Sequence, residues 1–151
     1  MKLRIEKGTE YTETEIIIHC LEVDERLNSL IAQIRMYDLT IPVKKEGRNY
    51  VLSTDSLYYF ESVEEKTFAY QKAEVYECSL RLYELEERLA GTAFTRVGKA
   101  CVLNTAVVEG VRPMLGGRLE ALLENGERIV VSRHYVPAFK MKFGLGERED
   151  V

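Results

Sequence analysis

Leu82-Tyr83-Glu84-Leu85-Glu86-Glu87-Arg88-Leu89, followed after a short gap by Phe94-Thr95-Arg96-Val97-Gly98-Lys99-Ala100-Cys101-Val102-Leu103-Asn104, is the stretch on which the reading of this 151-residue chain turns. Its first half reads as a helix. Leu82, Leu85 and Leu89 fall on one stripe of a 3.6-residue period, with Ser79 placed to cap the start and Gly91 to end it. Its second half, from Phe94 to Leu103, is strand-forming. A helix flanked by strands cannot be half of a helix-turn-helix, which needs two helices joined by a short turn.

Outward from there the period-two pattern dominates. Downstream, strands are expected over 107–111, 118–123 and 128–131. Glu124-Asn125-Gly126-Glu127 reads as a hairpin through a type I′ turn. Ser132 is placed to cap a final helix carrying Val136, Phe139 and Phe143, with Pro137 in its first turn and Gly144 at its end. Upstream, Leu39–Val43 is strand-like, and Pro42 suggests an edge or irregular position. Tyr50–Leu52, Leu57–Val63, Thr67–Tyr70 and Ala73–Glu77 continue an antiparallel meander, with Glu64-Glu65-Lys66 at a hairpin tip. Val23, Leu27, Leu30, Ile31 and Ile34 mark an earlier amphipathic helix that Asp24 can open. Two short strands, Lys2–Glu6 and Glu15–Cys20, are expected before it, the second too apolar to stand freely in water. The fold class is therefore mainly β with flanking helices (α+β): antiparallel sheets preceded by a strand-strand-helix extension.

Composition bounds the function. At 46% hydrophobic and 30% charged residues the chain is that of a globular protein with a substantial core. No apolar run approaches the roughly 20 residues of a membrane helix, and the N-terminus lacks the apolar core of a signal peptide, so a cytoplasmic location without membrane insertion is expected. Cys20, Cys78 and Cys101 are widely spaced and odd in number, which fits neither a disulfide framework nor a zinc site. His19 and His134 have no ligand-spaced neighbour, Gly116-Gly117 is a bare turn dipeptide, and no nucleotide-binding or hydrolase motif occurs. Nothing asks for a cofactor, a metal or an enzyme. The net charge of −4 argues at first against nucleic acid, but its distribution is uneven. Residues 88–142 carry nine basic and four acidic side chains, whereas residues 1–78 carry ten basic and fifteen acidic.

Three ordered blocks carry a resemblance. Leu57-Tyr58-Tyr59-Phe60-Glu61-Ser62, the helix and strand quoted above, and Arg118–Tyr135 with its Asn125-Gly126 turn and Val131-Ser132-Arg133-His134-Tyr135 ending together resemble the LytTR family. Gly98 and Ala100 depart from the polar residue and serine that the family often has there. The resemblance spans about residues 45–144. It implies a β-rich DNA-binding domain of bacterial transcription regulators that inserts loops into successive major grooves at paired repeats. It divides the chain into an extension (1–44), the domain (45–144) and an acidic tail (145–151). It also implies a stand-alone regulator with no phosphoacceptor receiver domain.

Carried over by position, Arg133 is expected in one major groove and Lys66 with Thr67 near the other. Lys99 and Arg96 would approach phosphates or the groove between, and Arg96 has an alternative as an ion-pair partner. His134, and Arg112 or Arg118, would add backbone contacts, while Asn104 and Tyr135 are read as structural. The expected partners are double-stranded DNA, a second copy in a homodimer, and a regulatory membrane protein as signal source. The competing reading is a protein-interaction module or anti-activator of the same fold that has lost specific DNA binding, motivated by the acidic surface, Gly98 and Ala100.

Overall fold

Phe60 and Tyr59 are neighbours in sequence, yet they bury into different cores, and this alternation explains the architecture. The structure, a computed structural model, describes residues 1–144, so the acidic tail expected at 145–151 lies outside the described residues. Seven strands form one antiparallel sheet in the order β2-β1-β5-β4-β3-β7-β6. They are β1 (Thr40–Lys45), β2 (Arg48–Ser53), β3 (Tyr59–Val63), β4 (Lys66–Tyr70), β5 (Val75–Cys78), β6 (Phe94–Gly98) and β7 (Cys101–Asn104). A second sheet, in the order β10-β9-β8, contains β8 (Val108–Pro113), β9 (Leu119–Leu123) and β10 (Arg128–Val131). Three helices flank them: α1 (Glu25–Asp38), α2 (Leu82–Arg88) and α3 (Val136–Phe143).

One core lies between the large sheet and helices α1 and α2. It holds Met36, Ile41, Leu57, Phe60, Leu85, Phe94 and Val102, among others. The other lies between the same sheet's opposite face, the small sheet and α3, and holds Tyr59, Val97, Leu103, Ala121, Leu123, Val131 and Phe139. β7 and the first two residues of β3 therefore bury both faces, whereas Glu61 and Ser62 are half-buried and Val63 is exposed. Asn104, 1% exposed, ends β7 between the two cores. Its Nδ2 donates to the Leu57 carbonyl at 2.9 Å, and its Oδ1 accepts the Ala106 amide at 2.9 Å. The structural role expected for it is borne out.

Several local expectations hold. Asp24 Oδ1 accepts the Leu27 amide at 2.8 Å and opens α1. Pro137 sits in the first turn of α3, and Gly144, at φ 88°, ends it. Pro42 pairs with Val51 of β2, while β5 meets β1 only at Val43 and Lys44, so the proline lies on a part of β1 with one neighbour.

Others are corrected. Helix α2 starts at Leu82 with Arg81, not Ser79, as its cap, because the partner lies three residues on: Glu84 Oε1 accepts the Arg81 amide at 3.1 Å. The Phe94–Leu103 run is a hairpin, with Val97 as an extra residue where the β6–β7 register shifts. The Asn125-Gly126 turn is not type I′, since Gly126 has positive φ and Asn125 does not. Leu123 instead accepts from Gly126 and donates to Glu127, a three-residue loop closed by glycine. The Ser132 side chain caps nothing; its carbonyl accepts the Tyr135 amide, opening a 3-10 turn at Arg133–Tyr135 that runs into α3. Finally, residues 1–24 form no strand. Lys2–Glu6 and Glu15–Cys20 have strand-like side chains, but a strand exists only against a backbone partner, and this segment makes no backbone bond to either sheet.

Asn104→Ala leaves the Leu57 carbonyl and the Ala106 amide without partners in a dry site. We expect a loss of about 2–4 kcal/mol in urea unfolding, and a midpoint unchanged from the parent would contradict this account.

Candidate nucleic-acid interface

Four connections meet along one rim of the molecule: the β3–β4 turn at Glu64 and Glu65, the β6–β7 turn at Lys99 and Ala100, the β8–β9 loop at 114–118, and the 3-10 turn Arg133–Tyr135. Backbone bonds join them. The Ser62 amide donates to the Ala100 carbonyl at 2.8 Å, linking the first two turns. The Ser132 amide donates to the Val97 carbonyl at 2.9 Å, so the bulge in β6 anchors the end of β10 to the large sheet. Arg133 in turn lies over Gly117. A β-carbon added at Gly117 would stand 2.8 Å from Arg133 Cδ and 3.0 Å from Cγ, and Gly117 has φ 76°. The missing side chain of Gly117 is what gives Arg133 its seat.

Along this rim Lys66, Lys99, Arg118, Arg133 and His134 are exposed. Arg118 Nε donates to the Leu115 carbonyl at 3.1 Å, bracing its own loop. His134 stacks edge-on against Tyr135, with ring centroids 4.9 Å apart. Lys66 follows two exposed acidic residues, Glu64 and Glu65, both at positive φ in the tight turn, so this end of the rim carries mixed charge.

Two of the expected residues have other occupations. Thr67, next to Lys66, points into the sheet and is 4% exposed, out of reach of a groove. Arg96 is half-buried and its guanidinium is committed. Nε donates to the Gly98 carbonyl at 2.7 Å, one terminal nitrogen to the Lys99 carbonyl at 2.6 Å, and the other forms an ion pair with Glu86 of α2. It clamps the turn that displays Lys99. Arg112 is paired with Glu120 at 2.8 Å. Lys142, counted in the basic stretch, turns inward and donates to the Thr92 carbonyl at 2.6 Å, and burial lowers its pKa. Gly117 is the residue the sequence reading missed. The only signal was the glycine pair itself, because a seat for a side chain sixteen positions downstream leaves no local pattern.

Behind the rim, polar groups are quenched rather than displayed. Tyr59 stacks on Tyr70 with ring centroids 4.3 Å apart. Tyr59 donates to Glu127 at 2.7 Å and Tyr70 to Glu61 at 3.0 Å, so both carboxylates are held inside the fold. Burial, and then the Glu61 hydrogen bond, pushes the Tyr70 phenol up to about 12; burial, and then Glu127, raises Tyr59 as well. Among the described residues no three His, Cys, Asp or Glu side chains are placed to hold a metal ion, and no helix is long and apolar enough to cross a membrane.

Comparison with known proteins bears on the family and the fold. A profile of the LytTr DNA-binding domain matches residues 47–144. The sensory transduction protein LytT of Enterococcus faecalis is 30% identical over 105 residues, covering 70% of this chain. The chain spans only 43% of that relative's length. A protein of Staphylococcus aureus named as an HTH-type transcriptional regulator is 22% identical over 147 residues, 96% of this chain and 99% of its own. The described residues here contain no two helices joined by a short turn. A solved LytTr DNA-binding domain from Bacillus cereus has the same fold, with a TM-score of 0.65 at 21% identity over 70% of this chain and 96% of that one.

The three thiols test the packing behind the rim without any ligand. Cys20 is exposed, Cys78 is buried, and Cys101 is half-buried with its pKa pushed up to about 12 by burial and then by Glu61. In the folded protein at pH 8, Ellman's reagent should titrate one thiol quickly. Cys101 and Cys78 should react at least roughly 100-fold more slowly, since the thiolate is the reactive form. Rapid reaction of all three would disprove the packing described.

Proposed function

We propose a function from a settled premise: the chain belongs to the LytTR family of DNA-binding domains. LytTR domains bind DNA, and this chain is read as a bacterial transcription regulator that recognises a specific double-stranded sequence through loops. Its extension (1–44) and domain (45–144) act together in a homodimer on paired repeats. The sensory-transduction and transcriptional-regulator names of its relatives are consistent with that role.

The observation that carries the reading is the placement of Arg133. It is exposed on a short, anchored turn, seated on Gly117, and its backbone is tied through Ser132 to the β6 bulge beside the Lys99 turn. An arginine on a rigid support presents a planar fork that matches the O6/N7 edge of guanine. Lys99, a compact charge on a turn clamped by Arg96, suits a phosphate, which gives affinity and register but no sequence information. Lys66 and His134 flank these two, and Thr67 supports Lys66 from within the sheet. Major-groove width accommodates such projecting turns as it does a helix.

Binding-site selection with the purified protein followed by salt titration tests the proposal. Arg133→Ala should lower discrimination at one base pair by about 1–3 kcal/mol. Lys99→Ala should weaken all sequences alike and reduce the log–log salt slope by about 1. If selection enriches no sequence, or neither substitution alters binding, the proposal fails and the interaction-module reading takes its place.

Gly117→Ala should displace Arg133 and reproduce most of its loss of specificity. Introduced into the Arg133→Ala protein it should cost little more, because the two changes remove one interaction. Additive losses would show that Gly117 does not act through Arg133.

A further inference from the structure

Nine of the nineteen large hydrophobic side chains exposed among the described residues fall in the first 23 positions. That concentration is more apolar surface than a short segment leaves in water without a use. The segment has two alternating stretches. In Lys2–Glu6, Leu3 and Ile5 share one face and Lys2, Arg4 and Glu6 the other; in Glu13–Cys20, Ile16 and Ile18 share one face and Glu13, Glu15 and Ile17 the other. Both apolar faces are open, with Leu3 87% and Ile16 60% exposed. The stretches also carry opposite charge. Residues 1–7 hold three basic side chains and one acidic, residues 8–24 five acidic and none basic. Laid antiparallel with Arg4 opposite Glu15, Leu3 and Met1 fall opposite Ile16 and Ile18 on the apolar face, and Lys2 lies diagonal to Glu15, while Glu6 falls opposite Glu13.

Within one chain they do not pair. Neither stretch is a strand, and the backbone bond within the segment, from the Tyr11 amide to the Gly8 carbonyl at 3.4 Å, closes a local turn rather than pairing them. Two stretches that complement each other but stay apart in one chain satisfy each other twice across a two-fold axis: the first of each copy against the second of its partner.

We propose that residues 2–20 are the dimerisation element of this protein, becoming strands on pairing with the same segment of a second copy. Folding and association are then coupled, so the ordering cost is met only when the partner is present. The element is joined directly to α1, which leads into β1 of the large sheet, so the pairing would hold two basic rims in one particle. This deepens the paired-repeat reading above and rests on it for its biological use; the experiment contains no DNA, so the two proposals fail separately.

Sedimentation equilibrium of the full chain should show a dimer at micromolar concentration. Arg4→Glu and Glu15→Lys each place like charges opposite one another at two symmetric positions, and each should weaken the dimer about tenfold or more. The double variant Arg4→Glu/Glu15→Lys restores the attraction with its sign reversed and should return the dissociation constant to near that of the parent. Ile16→Lys/Ile18→Lys should be monomeric. Because these side chains lie outside both cores, the urea midpoint of each variant, read on the core tyrosines, should match that of the parent's dissociated chain. A monomeric parent, as a hairpin closed within one chain would give, overturns the proposal. So do single variants as tight as the parent, or a double variant no tighter than the singles.

Discussion

Everything in this fold hangs on a sheet in which β7 and the start of β3 are dry on both faces. Strands β3 and β7 send Phe60 and Val102 toward α1 and α2, and Tyr59 and Leu103 toward the small sheet and α3. A one-residue slip of either strand would exchange the two sets and bring both cores out of register, so pairing is specified far more strongly than in a sheet with one wet face. Asn104 closes the arrangement by satisfying backbone groups where β7 leaves the sheet, and Phe139 of α3 seals the far side.

That rigidity is what the rim inherits. Its turns are short and begin or end on strands that cannot slide, and bonds such as Ser62 to Ala100 and Ser132 to Val97 tie each turn to its neighbour. Side chains committed to the protein serve those that face outward: Arg96 fixes the turn below Lys99, and Gly117 vacates the space that Arg133 occupies. Such division between supporting and presenting groups is what a precise polar surface requires, since a long side chain on a loose loop loses in entropy what it gains in contact.

The legible parts of this architecture were those governed by local periodicity. The α1 stripe with its Asp24 cap, the meander, and the αL glycine at 144 are each written within a few residues. What could not be read depended on partners distant in sequence. Thr67 faces inward because it shares a face of β4 with Ala69 and sits opposite Cys78, both in the core against α1 and α2, and Arg96 is engaged because Glu86 of α2 comes to rest beside it. The Asn125-Gly126 turn failed for a subtler reason: that dipeptide suits two hairpin geometries, and the register between β9 and β10 selects between them. At the N-terminus the alternation was plain, but a strand is a property of a pair, and residues 1–24 have no backbone partner among the described strands.

The basic rim on a body of net charge −4 has a kinetic meaning. Toward a polyanion such a molecule behaves as an oriented charge distribution: most faces are repelled at close range and the rim is drawn in. Non-productive encounters are therefore brief, and residence on arbitrary DNA is short, because few counterions are released by so few exposed cations. On the proposed function, a regulator built this way would give up the long sliding excursions of a strongly basic protein and search by frequent, correctly oriented landings. Its speed in finding a site would then depend on salt more through the rate of arrival than through time spent bound elsewhere.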